Sequence, residues 1–184
     1  MIWQKTNIIL LAGLCLLPGC LSKSNNSQIP EQQFFDIATF VAQYSDSKMH
    51  VVKKSISVDG RLESKTLDDY NIGNDIKGFE NYSINKPALF DKYEVDSILG
   101  NSGELIKLVY TGLKEELRVQ KMEVEIDEST KPRRIFLQLK TDSFLEDIDM
   151  EISWVVDSSY KIVKREKRIF GNEHVHVIEV IIQS

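Results

Sequence analysis

The chain has 184 residues, with 23 basic against 28 acidic side chains and a formal charge of −5. That balance argues against a general nucleic-acid binder, which needs a strong basic excess, and the length suits one domain around one core. Both cysteines lie before residue 21. The rest of the chain therefore has no thiolate ligand, cysteine nucleophile or disulfide, and must stand on packing.

Residues 1–6 carry one positive charge, Lys5, and an apolar run from Ile8 to Leu17 follows. The run is far short of the ~20 residues that span a bilayer as a helix. With small residues ahead of a boundary, it has the parts of a secretory signal peptide. The boundary reads Leu17-Pro18-Gly19-Cys20 and resembles the lipobox of bacterial lipoproteins. The resemblance implies cleavage before Cys20, a diacylglyceryl group on its thiol, and an acyl group such as palmitate on the new amino terminus. One buried chain holds a protein to a membrane marginally; two or three hold it durably. Removal of residues 1–19 takes the charge from −5 to −6. Residues 20–29 (LSKSNNSQ at their centre) read as a lipidated cysteine and a flexible tether, too polar to bury a core. Leu21 stands where an Asp would favour inner-membrane retention. The expected location is therefore the outer membrane, with the domain in the periplasm.

Residues 30–184 are expected to form a single globular domain. Pro30 suits a first helical position, and Phe34, Ile37, Val41 and Tyr44 follow at helical spacing, which predicts a helix ending near 45–47. Residues 50–58 and 61–67 flank Asp59-Gly60, a strong hairpin signal. A second helix is predicted over 71–82, weakened by Gly73 and Gly78. Strands at 93–99 and 104–111 flank a turn at 100–103. The strand over 116–126 switches phase between Leu117/Val119 and Met122/Val124/Ile126, the mark of a bulge. Further strands read at 133–140, 148–156, 160–170 and 174–182. A loop at 157–159 would set Glu151 opposite Arg165 and Asp149 opposite Lys167, a charge ladder. The fold class expected is α+β: a long curved antiparallel meander of about seven to nine strands, with two helices from the N-terminal half packed on one face.

Within the domain, Thr66-Leu67-Asp68, Ile84-Asn85-Lys86-Pro87-Ala88 and Asp91-Lys92-Tyr93 resemble the pattern of a family of small Bacteroidota lipoproteins of unknown function. The resemblance brings no activity with it. It draws attention to Asn85, Lys86, Asp91 and Lys92, with Pro87 ending the second helix.

No nucleophile elbow, dinucleotide fingerprint or P-loop is present, so neither a catalytic residue nor a cofactor is expected. His174 and His176 share a strand face and are weak metal-ligand candidates; they need a third ligand, which only the distant His50 offers among the histidines. Lys161, Lys164, Arg165, Lys167 and Arg168 form a basic stretch that could meet an anionic partner. The acidic set Asp147, Asp149 and Glu151 reads as a solvated sheet face. The function expected is a non-catalytic binding or interaction module of the envelope. It would meet the membrane through Cys20 and an envelope protein or lipid through the domain. One alternative is a lipid or lipoprotein carrier resembling the periplasmic localisation factors, with Phe34, Ile37, Phe40, Ile152 and Trp154 lining an apolar pocket. Another is a metal-dependent enzyme using His174 and His176.

Overall fold

The computed structural model describes residues 34–44 and 49–183. The signal peptide (1–19), Cys20 with its tether (20–29) and the helix start expected at Pro30 lie outside the described residues.

Helix α1 spans Ile37–Tyr44 and starts where Asp36 caps it. The Asp36 carboxylate accepts the N–H groups of Ala38 and Thr39 (3.1 Å each) and the Thr39 hydroxyl (2.8 Å). These are the donors a helix start leaves open. Burial works to raise this carboxyl, but hydrogen bonds from Thr39, Ala38 and Asn85 outweigh it and hold the group below its ordinary range. Phe34 precedes the helix and is buried.

Strands β1 (His50–Val58) and β2 (Arg61–Tyr70) form the expected hairpin. Asp59 and Gly60 both take positive φ, 50° and 82°, as a two-residue hairpin turn requires. A Cβ at Gly60 would meet no atom within 4 Å, so only the backbone conformation resists substitution. Gly60→Ala is expected to cost about 1 kcal/mol in a urea melt.

The segment predicted as one helix over 71–82 is two pieces, α2 (Ile72–Ile76) and a 3-10 segment (Lys77–Tyr82). Pro87 does not end it; the chain is extended at Lys86, and Pro87–Leu89 forms a separate 3-10 turn. Seven strands follow: β3 (Tyr93–Leu99), β4 (Leu105–Gly112), β5 (Val119–Ile126), β6 (Pro132–Asp142), β7 (Glu146–Val155), β8 (Ser159–Arg168) and β9 (Glu173–Ile182). The bulge in β5 is real. Val119 pairs with Leu139 and Lys121 with Gln138, leaving Gln120 as the extra residue.

All pairings are antiparallel and make one open nine-stranded sheet in the order β2-β1-β9-β8-β7-β6-β5-β4-β3. The final strand is thus interior, between β1 and β8, and the edges are β2 and β3. The connection between those edges, residues 71–92, crosses one face of the sheet. It buries Ile72, Ile76, Phe79 and Ile84 there, beside α1. This inner face carries the core: Trp154, Ile152, Tyr160, Ile135, Leu137 and Met122 among others.

The expected charge ladder is displaced by two residues. Val155 pairs with Ser159, so Asp149 faces Arg165 and Asp147 faces Lys167. The turn sits one residue earlier than expected because Asp157 takes the left-handed conformation (φ 57°), which Asp tolerates better than most residues. Arg165 still reaches Glu151 diagonally, at 3.0 Å.

Candidate ligand-binding face

Burial on the inner face fades along each central strand. On β7, Trp154 and Ile152 are buried while Met150 and Ile148 are half-exposed. On β8, Tyr160 is buried and Ile162 half-exposed; on β9 the same change occurs between Val180 and Ile178. On β1, Val52 is fully buried, Ile56 is 43% exposed and Val58 39%. The register places Ile56 beside Ile178, Ile178 beside Ile162, and Ile162 beside Ile152. An apolar row therefore runs across four strands where α1 and the crossing segment leave the sheet partly open. At its β1–β2 margin lies an open depression of about 590 Å³ lined by Lys54, Ile56, Glu63, Ser64, Lys65 and Leu67.

One polar cluster closes the covered side of this row. The Asp75 carboxylate on α2 accepts hydrogen bonds from the Tyr70 and Tyr160 hydroxyls and from Lys54 Nζ (3.2 Å). Lys54 also donates to the Tyr70 oxygen at 2.5 Å. Burial tends to raise Asp75, yet the bonds from Tyr160 and Tyr70 and the Lys54 charge hold it below its ordinary value. Burial and the Asp75 carboxylate push the Tyr160 phenol far up. Neither tyrosine is poised to give up its proton; the cluster fastens α2 to β1, β2 and β8.

The five residues expected to line a pocket do meet in space, but as packed core. Phe34, Ile37, Ile152 and Trp154 are buried and Phe40 is partly so. The Phe40 and Tyr44 rings stand 5.3 and 5.0 Å from the Trp154 ring, and Phe34 packs on Tyr110 at 5.3 Å. The space between helices and sheet at this point is occupied by these side chains themselves. The open apolar surface lies farther along the same strands.

The basic stretch on β8 does not make one patch, because successive side chains alternate between faces. Lys164 and Arg168 are on the inner face, with Met150 and Glu146 opposite them; Lys161, Arg165 and Lys167 are on the outer face. Three of the five are paired: Lys164 with Glu166, Arg165 with Glu151, and Arg168 with Glu146.

His174 and His176 do share the inner face. His174 Nδ1 stands 2.8 Å from the Asp59 carboxylate, whose other oxygen accepts the Val175 N–H. His50 pairs with Tyr70 at the opposite end of β1, about 26 Å away along the strand, so it cannot complete a site. Among the described residues no group of three His, Cys, Asp or Glu side chains could hold a metal ion.

Of the residues singled out in the 84–93 motif, Asn85 helps hold Asp36 at the start of α1, while its own side-chain oxygen is buried without a partner. Lys86 and Asp91 are exposed. Tyr93 is buried, donates to the Val119 carbonyl at the β5 bulge (2.8 Å), and has its phenol pushed up to about 12 by burial.

The sequence reading missed the Asp75 cluster, whose members stand at positions 54, 70, 75 and 160. It also missed four exposed apolar residues in hairpin loops, Phe144, Leu145, Ile169 and Phe170. Phe144 and Leu145 carry a local signal, a large apolar pair between two predicted strands. The strand expected over 160–170 stops at Arg168 and leaves Ile169 and Phe170 in the loop, and the cluster carries no local signal. Comparison with protein-family models, curated proteins and solved structures yields no match.

Proposed function

We propose that the chain is a lipid-anchored envelope lipoprotein whose domain is a non-catalytic module binding an apolar ligand of acyl-chain type. In this reading the diacylglyceryl and acyl groups on Cys20 hold it to the outer membrane, and the domain works in the periplasm. The carrying observation is the apolar row Ile56–Ile178–Ile162 with Met150 on the helix-bearing face of the sheet, Ile56 exposed and the other three only partly buried against the core. Large apolar side chains left exposed together mark a binding surface more often than single ones do. The α+β architecture with a curved sheet, cupped toward the helices, gives that row the form of a trough. Lys65 at its margin, beside Glu63 and the Asp75-paired Lys54, suits the carboxylate or phosphate end of a lipid. A carrier role follows if the ligand exchanges; the same trough serves both.

Two measurements on the full chain test this. Intact mass after expression in a bacterial host reports cleavage and acylation at Cys20. Binding of cis-parinaric acid reports the trough. Ile56→Asp and Ile178→Asp are each expected to weaken that binding at least about tenfold, because a carboxylate resists burial against an acyl chain. An unmodified Cys20 ends the anchor reading. Binding that is absent in the parent chain, or unchanged in both variants, ends the trough reading.

A further inference from the structure

We infer that one end of the sheet is a bilayer-docking tip, formed by the β6–β7 and β8–β9 loops. Phe144 is 87% exposed and Leu145 71%; Ile169 is 52% and Phe170 94%. The two loops are adjacent because Glu146 pairs with Arg168, and the Ile169 N–H donates to the Leu145 carbonyl at 3.2 Å. The β1–β2 turn lies at the same end, since Val58 pairs with His176 and Lys167 with Glu173. From the trough toward this tip, apolar Ile148 and Met150 on β7 and Val58 on β1 flank a polar stretch of Lys164 and Glu166 on β8 and His174 and His176 on β9.

Phenylalanine rings held out in water at the ends of two tied hairpins have no folding role, since each contacts little of its own protein. Such rings are stabilised in the interfacial layer of a membrane, where aromatic and aliphatic side chains enter together. A second copy is a poorer occupant. These four side chains offer on the order of 600 Å² per copy, below the ~800 Å² per partner of a stable interface. A bilayer asks for no matching shape. The charges around the tip are mixed, with Lys167 and Arg168 against Asp142, Glu146 and Glu173, so insertion of apolar groups carries the contact and a neutral bilayer suffices.

Proximity completes the argument, and for this alone the inference rests on the anchored reading. From Cys20 to Phe34 the chain spans at most about 50 Å. The longest strand, eleven residues in β6, is about 36 Å long. The tether therefore lets the tip reach the same bilayer that holds the anchor, and the trough then opens beside the lipid it is proposed to bind.

The test uses the full chain with vesicles of phosphatidylcholine brominated on the acyl chains, in excess lipid, so that the tip is read whether or not Cys20 is acylated. Phe144→Trp and Phe170→Trp are each compared with Leu99→Trp, an exposed position at the opposite end of the sheet. The buried Trp154, and Trp3 wherever residues 1–19 are retained, contribute the same background to all three. The expected result is a blue shift and loss of intensity at positions 144 and 170, with no change at 99. Emission at the tip that matches the Leu99→Trp control overturns the inference. So does a blue shift that grows with protein concentration without bromine quenching, which would assign the tip to a second copy. Intact mass of the same samples separates failure of the anchor from failure of the tip.

Discussion

Replacing Trp154 with alanine is expected to lower the unfolding free energy by about 3–5 kcal/mol, against a total of about 5–15 kcal/mol for an ordinary domain. The indole is 1% exposed, and it is where the two layers meet. From the helix layer, Phe40 and Tyr44 of α1 stand on it at 5.3 and 5.0 Å, and Phe79 of the crossing segment at 6.1 Å. Within the sheet it lies between Ile135 of β6 and Tyr160 of β8. Truncation therefore removes a large buried area and the platform for α1 together, and α1 has only eight residues, too few to persist without packing. Trp154→Phe, which keeps most of the area, is expected to cost about half as much. Phe170→Ala, at a position 94% exposed, should fall within about 0.5 kcal/mol of the parent. Urea melts followed by far-ultraviolet circular dichroism measure all three without the lost fluorophore. A Trp154→Ala chain that melts with the parent would show that α1 is not held there.

What could be read from the chain before the structure was mostly what short-range geometry dictates. Asp59-Gly60 announced its turn because few residue pairs accept two positive φ angles. The bulge in β5 was visible because Val119 and Met122 cannot share one face of a strand unless an extra residue intervenes. Ile148, Met150, Ile152, Trp154 alternate strictly, and so did their placement on the inner face. The strand order was not legible: nothing local tells β9 to lie beside β1, since that pairing rests on inner faces meeting across more than a hundred residues. The helix over 71–82 failed for a physical reason too. Gly73 and Gly78 supply little helix propensity, and the segment must follow the sheet across, so it tightens to a 3-10 form after Ile76. The site divides the same way. The aromatic and aliphatic residues expected around a pocket do converge, but alternation says only that they face inward. Whether they enclose a space or fill it depends on helix height, and here Phe40, Tyr44 and Phe79 fill it. The open part of the face became visible only through burial that declines along β7, β8 and β9.

Asp75→Ala is expected to cost about 2 kcal/mol, the largest effect foreseen for any polar residue of the chain. The carboxylate takes hydrogen bonds from Tyr70 and Tyr160 and an ion pair from Lys54, whose side chain is only 23% exposed. Its removal leaves the buried Tyr160 hydroxyl without its acceptor and an ammonium in a half-dry site. The pH dependence follows from the direction of the shift. Burial works to raise Asp75, but hydrogen bonds from Tyr160 and Tyr70 and the Lys54 charge outweigh it, and the carboxyl sits below its ordinary 3.8. A group depressed in the folded state contributes stability above its unfolded pKa and loses it as pH falls through the folded value. The parent should thus lose stability below about pH 4, and Asp75→Asn should show a shallower loss over that range in urea melts at stepped pH. A double-mutant cycle assigns the partners. In a Lys54→Met background the charge no longer needs an acceptor, so Asp75→Ala should cost less than in the parent. Equal costs in the two backgrounds would place the whole effect on the tyrosines.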